Sequence, residues 1–206
     1  MSDPGEAERR RKRTHTYLGL WGVDADLDAV PVVELATVRV RTVAEVAARA
    51  KSLCLVALKA QGLSQHEVFA FADAYEVWDG LTLAENDFVL DPAPERADEV
   101  QFAWRYEGLW VLEWALGLVR HLAFPDEPCD HAEAAKRCIE SIAASGAPTP
   151  RLRADKELLD GADVSRVLDA LAATSRAQGH GAGPGTLHHG VAHEREVAFG
   201  WLCGGD

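Results

Sequence analysis

An all-α bundle of seven to nine helices is the fold this sequence predicts, and three observations predict it. A Ser, Thr or Asp stands three residues before a Glu at the head of several helical stretches: Thr42/Glu45, Ser64/Glu67, Thr82/Glu85 and Asp130/Glu133. In such a capping box the side-chain oxygen accepts an unpaired backbone N–H of the first turn while the glutamate reaches back. Apolar residues then recur at helical period, and β-branched alternation is confined to VVELATVRV at 32–40. A lone strand has no edge to pair with, so that segment stands as one short strand at most.

Taken in order, the run RRRKR at 9–13 fits the solvated face of a first helix, with residues 1–13 a basic N-terminal segment free to fray. Thr42 opens a helix from about Val43 to Gln61, stopped by Gly62, whose buried stripe is Val46, Ala47, Ala50, Leu53, Cys54, Ala57 and Leu58. Ser64 opens VFAFADAYEVW, ended by Asp79-Gly80, and Thr82 opens a short helix ending at Asp91-Pro92. A Trp-rich helix from about Ala97 to Leu122, closed by Pro125, supplies the centre of the bundle. Asp130 starts a helix that fades at Gly146 and Pro148. Asp163 is placed to cap VSRVLDALAATSRAQ, which Gly179 terminates. A Gly-rich loop at 179–190 leads into a last helix from about Val191 to Cys203.

Length and composition bound what this fold can be. At 206 residues the chain suits one buried core, so 1–206 is expected to form a single helical domain. Hydrophobic residues at 48% and charged residues at 26% are ordinary for a globular protein. Glu113 and Lys59 interrupt the longest apolar segments before the roughly 20 residues a bilayer needs, so no membrane partner is expected. RRRKR runs into THTYLGLWGVDAD rather than a sustained apolar stretch, which places the protein in the cytoplasm. Cys54, Cys129, Cys138 and Cys203 contain no Cys-x-x-Cys pair and fit buried free thiols. Net charge is −12, and beyond residue 13 there are 16 basic against 30 acidic side chains, which opposes a nucleic-acid partner.

The densest information lies in WRYEGLWVLEWALG at 104–117. On a helix advancing about 100 degrees per residue, Glu113 falls in a polar arc with Arg120. Arg105 falls between Leu112 and Leu116, and Glu107 between Trp114 and Leu118, about 160 degrees away. Each therefore needs a partner from another segment or an exit to solvent.

That stretch, together with the Cys129-Asp130 pair, ELLDGADV at 157–164 and GVAHEREVAFGWL at 190–202, resembles the domain of unknown function 4272 family. RKRTHTYLGLWGV at 11–23 and AEVAARAKSL at 44–53 fit it too, so the resemblance spans nearly the whole chain. It implies no reaction, cofactor or partner. The chain departs from the family pattern after Asp163, where an aromatic and arginine followed by a His-Trp pair are expected. It has Arg166, Val167, Asp169 and Ala170 there, and Glu196 stands where histidine is expected.

Four arrangements invite chemistry. In HHGVAHER, His189 and His193 are four apart and share a helix face, but Gly190 is able to split them, Glu194 points about 100 degrees away, and no third ligand is spaced to complete a zinc site. Surface or capping roles follow, and no metal or other cofactor is expected. GHGAGPG at 179–185 lacks both the lysine and the preceding strand of a phosphate loop. Cys129 with His131 is a nucleophile pair only on paper, since no feature of the sequence lowers the thiol pKa. The strongest set is Arg105, Glu107, Glu194 and Arg195, flanked by Trp104 and Trp114. These charges are expected either to neutralise one another as buried pairs or, if unpaired, to line a ligand cleft.

Lacking a catalytic motif and carrying an acidic surface, the chain is expected to be a non-enzymatic helical protein that binds another protein, as an accessory or immunity-type factor. The alternative is an enzyme or small-ligand binder with a polar pocket beside the Trp-rich helix. Arg105, Glu107, Glu194 and Arg195 would serve that pocket.

Overall fold

A computed structural model describes residues 4–34, 38–143, 146, 150–177 and 187–204. Its regular structure is helical, and among the described residues there is no strand. Val33, Glu34 and 38–40 are irregular there, while residues 35–37 of the expected strand lie outside the described set. No described helix is long and apolar enough to cross a membrane. The chain divides into two compact units, each assembled from separate stretches of sequence.

The first unit joins residues 1–41, 122–128 and 153–206. It holds α1 (Pro4–Leu20), α8 (Asp155–Ala177) and α9 (His189–Leu202), with α8 packed on both of the others. Their apolar faces meet in Leu18, Val23, Phe124, Val167, Leu168, Ala172, Leu187 and Ala192. Phe124 enters from the 122–128 segment and stacks on Trp21 at 4.8 Å between ring centroids. His188 caps α9, its ring nitrogen accepting from the Val191 N–H.

Three expectations change here. The basic run is not frayed, and it is a solvated face only in part: Arg9 and Lys12 are exposed, whereas Arg10, Arg11 and Arg13 are drawn inward. It lies within α1, and Arg13 donates to both oxygens of Asp160 at 2.7 and 2.8 Å. Arg10, 2% exposed, donates to Asp160 and to the Val33 carbonyl. Asp163 caps nothing: α8 starts eight residues earlier, and the carboxylate is fully buried within it. It accepts from the Thr14 hydroxyl and the Val33 N–H and pairs with Arg11 at 3.3 Å. A buried acid supplied with these partners from α1 and from Val33 beyond it gains more than a first-turn cap would give it. The last helix begins at His189 rather than Val191, so the Gly-rich loop ends by His188, and residues 178–186 lie outside the described set.

The second unit joins residues 42–121 and 129–152. Here α2 (Val43–Ala60) packs against α3 (Gln65–Tyr75), α4 (Leu83–Leu90), α5 (Arg96–Ala103), α6 (Arg105–Ala115) and α7 (His131–Cys138). Thr42, Ser64 and Thr82 form full capping boxes, and Asp130 accepts from the Glu133 N–H, as their spacing predicts. The left-handed conformation of Glu76 at the end of α3 stops that helix before Asp79-Gly80. One core cluster gathers Leu55, Val56, Val68, Val77, Phe88, Val89 and Phe102.

The Trp-rich helix is shorter than its sequence suggests. Trp104 interrupts it, joining α5 to α6, and α6 ends at Ala115 because Gly117 turns the chain at φ +76°. Residues 118–122 are therefore not helical. Nor does Glu113 occupy a polar arc. It is fully buried, and Arg137 of α7, stacked over the Trp110 ring at 4.8 Å, donates to it at 2.9 Å.

Candidate functional site

Arg105 and Glu107 lie in the second unit, Glu194 and Arg195 in the first. Arg105 donates from Nε to Glu85 at 3.1 Å, alongside Arg49, which holds the same carboxylate through two bonds of 2.6 and 2.8 Å. Burial alone would raise the Glu85 pKa, but Arg49 and Arg105 hold it below its ordinary value. Glu107 is buried and accepts from the Cys129 N–H. Arg195 is buried and donates to the Ala123 carbonyl at 2.7 Å, and Glu194 is half-buried on the same helix. Trp114 is buried and Trp104 half-buried.

The other sequence candidates resolve into local contacts. His193 pairs with Asp169 at 3.3 Å, and His189 accepts from Arg176 at 3.4 Å. Among the described residues no three His, Cys, Asp or Glu side chains are grouped to hold a metal ion. The Cys129 thiol donates to the Tyr106 carbonyl at 3.5 Å, while the His131 ring stacks on Tyr106 at 4.5 Å. All four cysteines are free. The GHGAGPG loop lies outside the described residues.

The first unit contains a cleft of about 200 Å³ that none of those candidates lines. Val33, Val38, Ala162 and Phe199 give it apolar walls; Arg166, Glu196 and Cys203 supply polar groups; Gly200 and Gly204 complete it. The helices place these groups by simple periodicity. Glu196, Gly200 and Cys203 stand at i, i+4 and i+7 of α9 and its C-cap, so they share one face. Ala162 and Arg166, four apart on α8, face them.

Gly200 is informative because a glycine inside a helix costs about 1 kcal/mol relative to alanine. A Cβ added there would meet nothing within 4 Å, so packing does not require the glycine. What its missing side chain leaves is room in the cleft.

The cleft's electrostatics are unusual for an acidic chain. Arg166 Nε approaches Glu196 Oε1 at 3.5 Å, the outer limit of a hydrogen bond, and its side chain is 39% exposed. The other carboxyl oxygen, Oε2, is buried and has no hydrogen-bond partner. Burial pushes the Glu196 pKa up to about 7, against the opposing charge of Arg166. Burial, then the Glu196 charge, pushes the Cys203 thiol up to about 11, so it stays protonated at neutral pH. The arrangement offers a partly exposed guanidinium in the cleft lining, a carboxyl able to carry a proton, and no activated nucleophile.

Sequence reasoning passed over this pair as a site. Both residues were visible only as departures from a family pattern, and a departure gives no geometry. Helical spacing alone puts Glu196 and Gly200 on one face, but nothing local reveals that Arg166, 30 residues away, arrives opposite them.

The family described as "Domain of unknown function (DUF4272)" matches residues 10–206, and the chain belongs to it. No curated protein and no solved structure matches the chain.

Proposed function

From a family whose description carries no reaction or partner, we propose that this protein works by binding, and that its ligand site is the α8–α9 cleft. One observation carries the proposal. A helical glycine with no packing role borders a small cavity of mixed apolar and polar lining beside a weakly joined Arg166–Glu196 pair, where one carboxyl oxygen lacks a hydrogen bond among the described residues. An unsatisfied buried acceptor costs about 1–3 kcal/mol. A ligand that supplies or reorganises its hydrogen bonds recovers part of that. Apolar walls with a few convergent polar groups are the usual make-up of a small-molecule site, and about 200 Å³ lies below the drug-sized range, which limits the occupant to a small molecule. This keeps the ligand-binding alternative of the sequence but moves it to different residues, since Arg105, Glu107 and Arg195 have bonds of their own.

The test is a thermal-shift screen of small acids, amines, amides and sugars against wild type and Gly200→Leu. The Cβ of the leucine enters open space and leucine raises helix propensity, so the variant is expected to fold with its side chain occupying the cleft, which its circular dichroism spectrum checks. Compounds that stabilise wild type but not Gly200→Leu support the cleft as the site. Absence of any such compound across all classes rejects it.

Binding of another protein is the second reading, favoured by Leu83 at 80% and Leu90 at 45% exposed at the two ends of α4, and by Val100 at 52% on α5. Substituting all three with serine should abolish partner capture if that surface is used.

A further inference from the structure

Resting on the cleft as the ligand site, we infer that its ligand is a small apolar-bodied monocarboxylate, held by Arg166 and by a Glu196 that takes up a proton as the ligand binds. The terminal N–H groups of Arg166 form a planar fork suited to a carboxylate, and among the described residues the guanidinium's hydrogen bonding is the 3.5 Å approach of Nε to Glu196. A carboxylate placed on that fork faces the Glu196 carboxyl across the same small cavity. Two anions at that range repel, so one must be neutral. Arg166 stays charged at any working pH, and Glu196 is the group whose burial already disfavours its anion. Protonated Glu196 becomes a donor: rotation about its last side-chain torsion, which is soft, presents the O–H to the ligand oxygen.

The surroundings choose the ligand's charge. Arg166 and Asp169 face Glu196 from α8, His193 lies on its own helix, and the Cys203 thiol is protonated. Arg10 and Asp155 act on the Cys203 end, though Arg10 is already committed to Asp160 and the Val33 carbonyl. The Arg166 guanidinium offsets a single negative charge, and the nearby Asp169 and Asp155 carboxylates add to the repulsion that disfavours a dianionic phosphate. Ammonium ligands meet Arg166 directly. Val33, Val38, Ala162 and Phe199 then select a hydrocarbon body over a sugar or polyol.

The test is calorimetric titration of the full chain with the straight and branched monocarboxylates from acetate to 3-methylbutanoate, using 3-methylbutanamide and 3-methylbutylamine as neutral and cationic counterparts. Titrations at pH 7.5 in two buffers of different ionisation enthalpy count the protons taken up. The expected result is carboxylate binding near pH 6, uptake of about three-quarters of a proton at pH 7.5, and affinity that weakens above pH 7, approaching about tenfold per pH unit above pH 8. Glu196→Gln should bind with little pH dependence and no proton uptake, and Arg166→Met should lose binding while keeping its circular dichroism spectrum. If the amide or amine binds in a Gly200→Leu-sensitive way and no carboxylate does, the carboxylate inference fails while the cleft stands. Carboxylate binding without proton uptake overturns the role of Glu196. If Gly200→Leu binds as wild type does, the cleft itself is rejected.

Discussion

Arg166 and Glu196 meet at 3.5 Å across α8 and α9, and that long contact leaves Glu196 Oε2 buried with no hydrogen-bond partner among the described residues. Desolvation therefore outweighs the guanidinium, and the carboxyl pKa rises to about 7 from an ordinary 4.5. A native pKa above the unfolded one means that the folded state holds the proton more tightly. Its contribution is fully present below about pH 4.5 and is lost as pH climbs to about 7. Glu196→Gln, which mimics the protonated form, should be at least as stable as wild type at pH 8 in urea unfolding. A variant clearly weaker than wild type at pH 8 would show that the anion is well solvated or paired in the fold.

Glu113 should extend the same trend to higher pH. Burial raises its pKa to about 8 despite the Arg137 bond, so wild-type stability should continue to fall between pH 7 and 8. Glu113→Gln should flatten the profile between pH 7 and 8 and also lessen its slope between pH 4.5 and 7, where Glu196 contributes as well. Unchanged slopes in both windows would refute the assignment.

Glu85 should matter more than either of its arginines. It is 1% exposed and shared by Arg49 and Arg105, so Glu85→Ala strands two cations at about 3–5 kcal/mol. Arg105→Ala leaves the bidentate Arg49 bond intact, and its own side chain is 21% exposed, so the loss should be closer to 1 kcal/mol. Chemical denaturation of the two variants separates these outcomes, and equal losses would contradict the shared-acceptor geometry.

Asp163→Ala should cost about 3–5 kcal/mol, because Thr14, the Val33 N–H and Arg11 all lose their acceptor in a buried setting. Asp130→Ala, which removes a helix cap, should cost only about 1 kcal/mol. Comparable midpoints for the two variants would mean that Asp163 does no more than a cap.

Thr42, Ser64, Thr82 and Asp130 show what the sequence by itself determined. A cap joins residue i to i+3, so its partners lie within one turn of chain and their spacing settles the outcome before any tertiary contact forms. The all-α class and most helix starts follow from such local rules. The fate of each charge does not. Asp163 has the composition of a cap, yet Thr14 and Val33 draw it into the interior of α8 from 149 and 130 residues away. Glu113 has the angular position of a solvent-facing residue, yet α7 covers it and supplies Arg137. The pair in the cleft needed α9 laid against α8 before either residue had a meaning. Whether an ionisable group is exposed, paired or stranded depends on which distant segment displaces its water, and that is a property of packing alone.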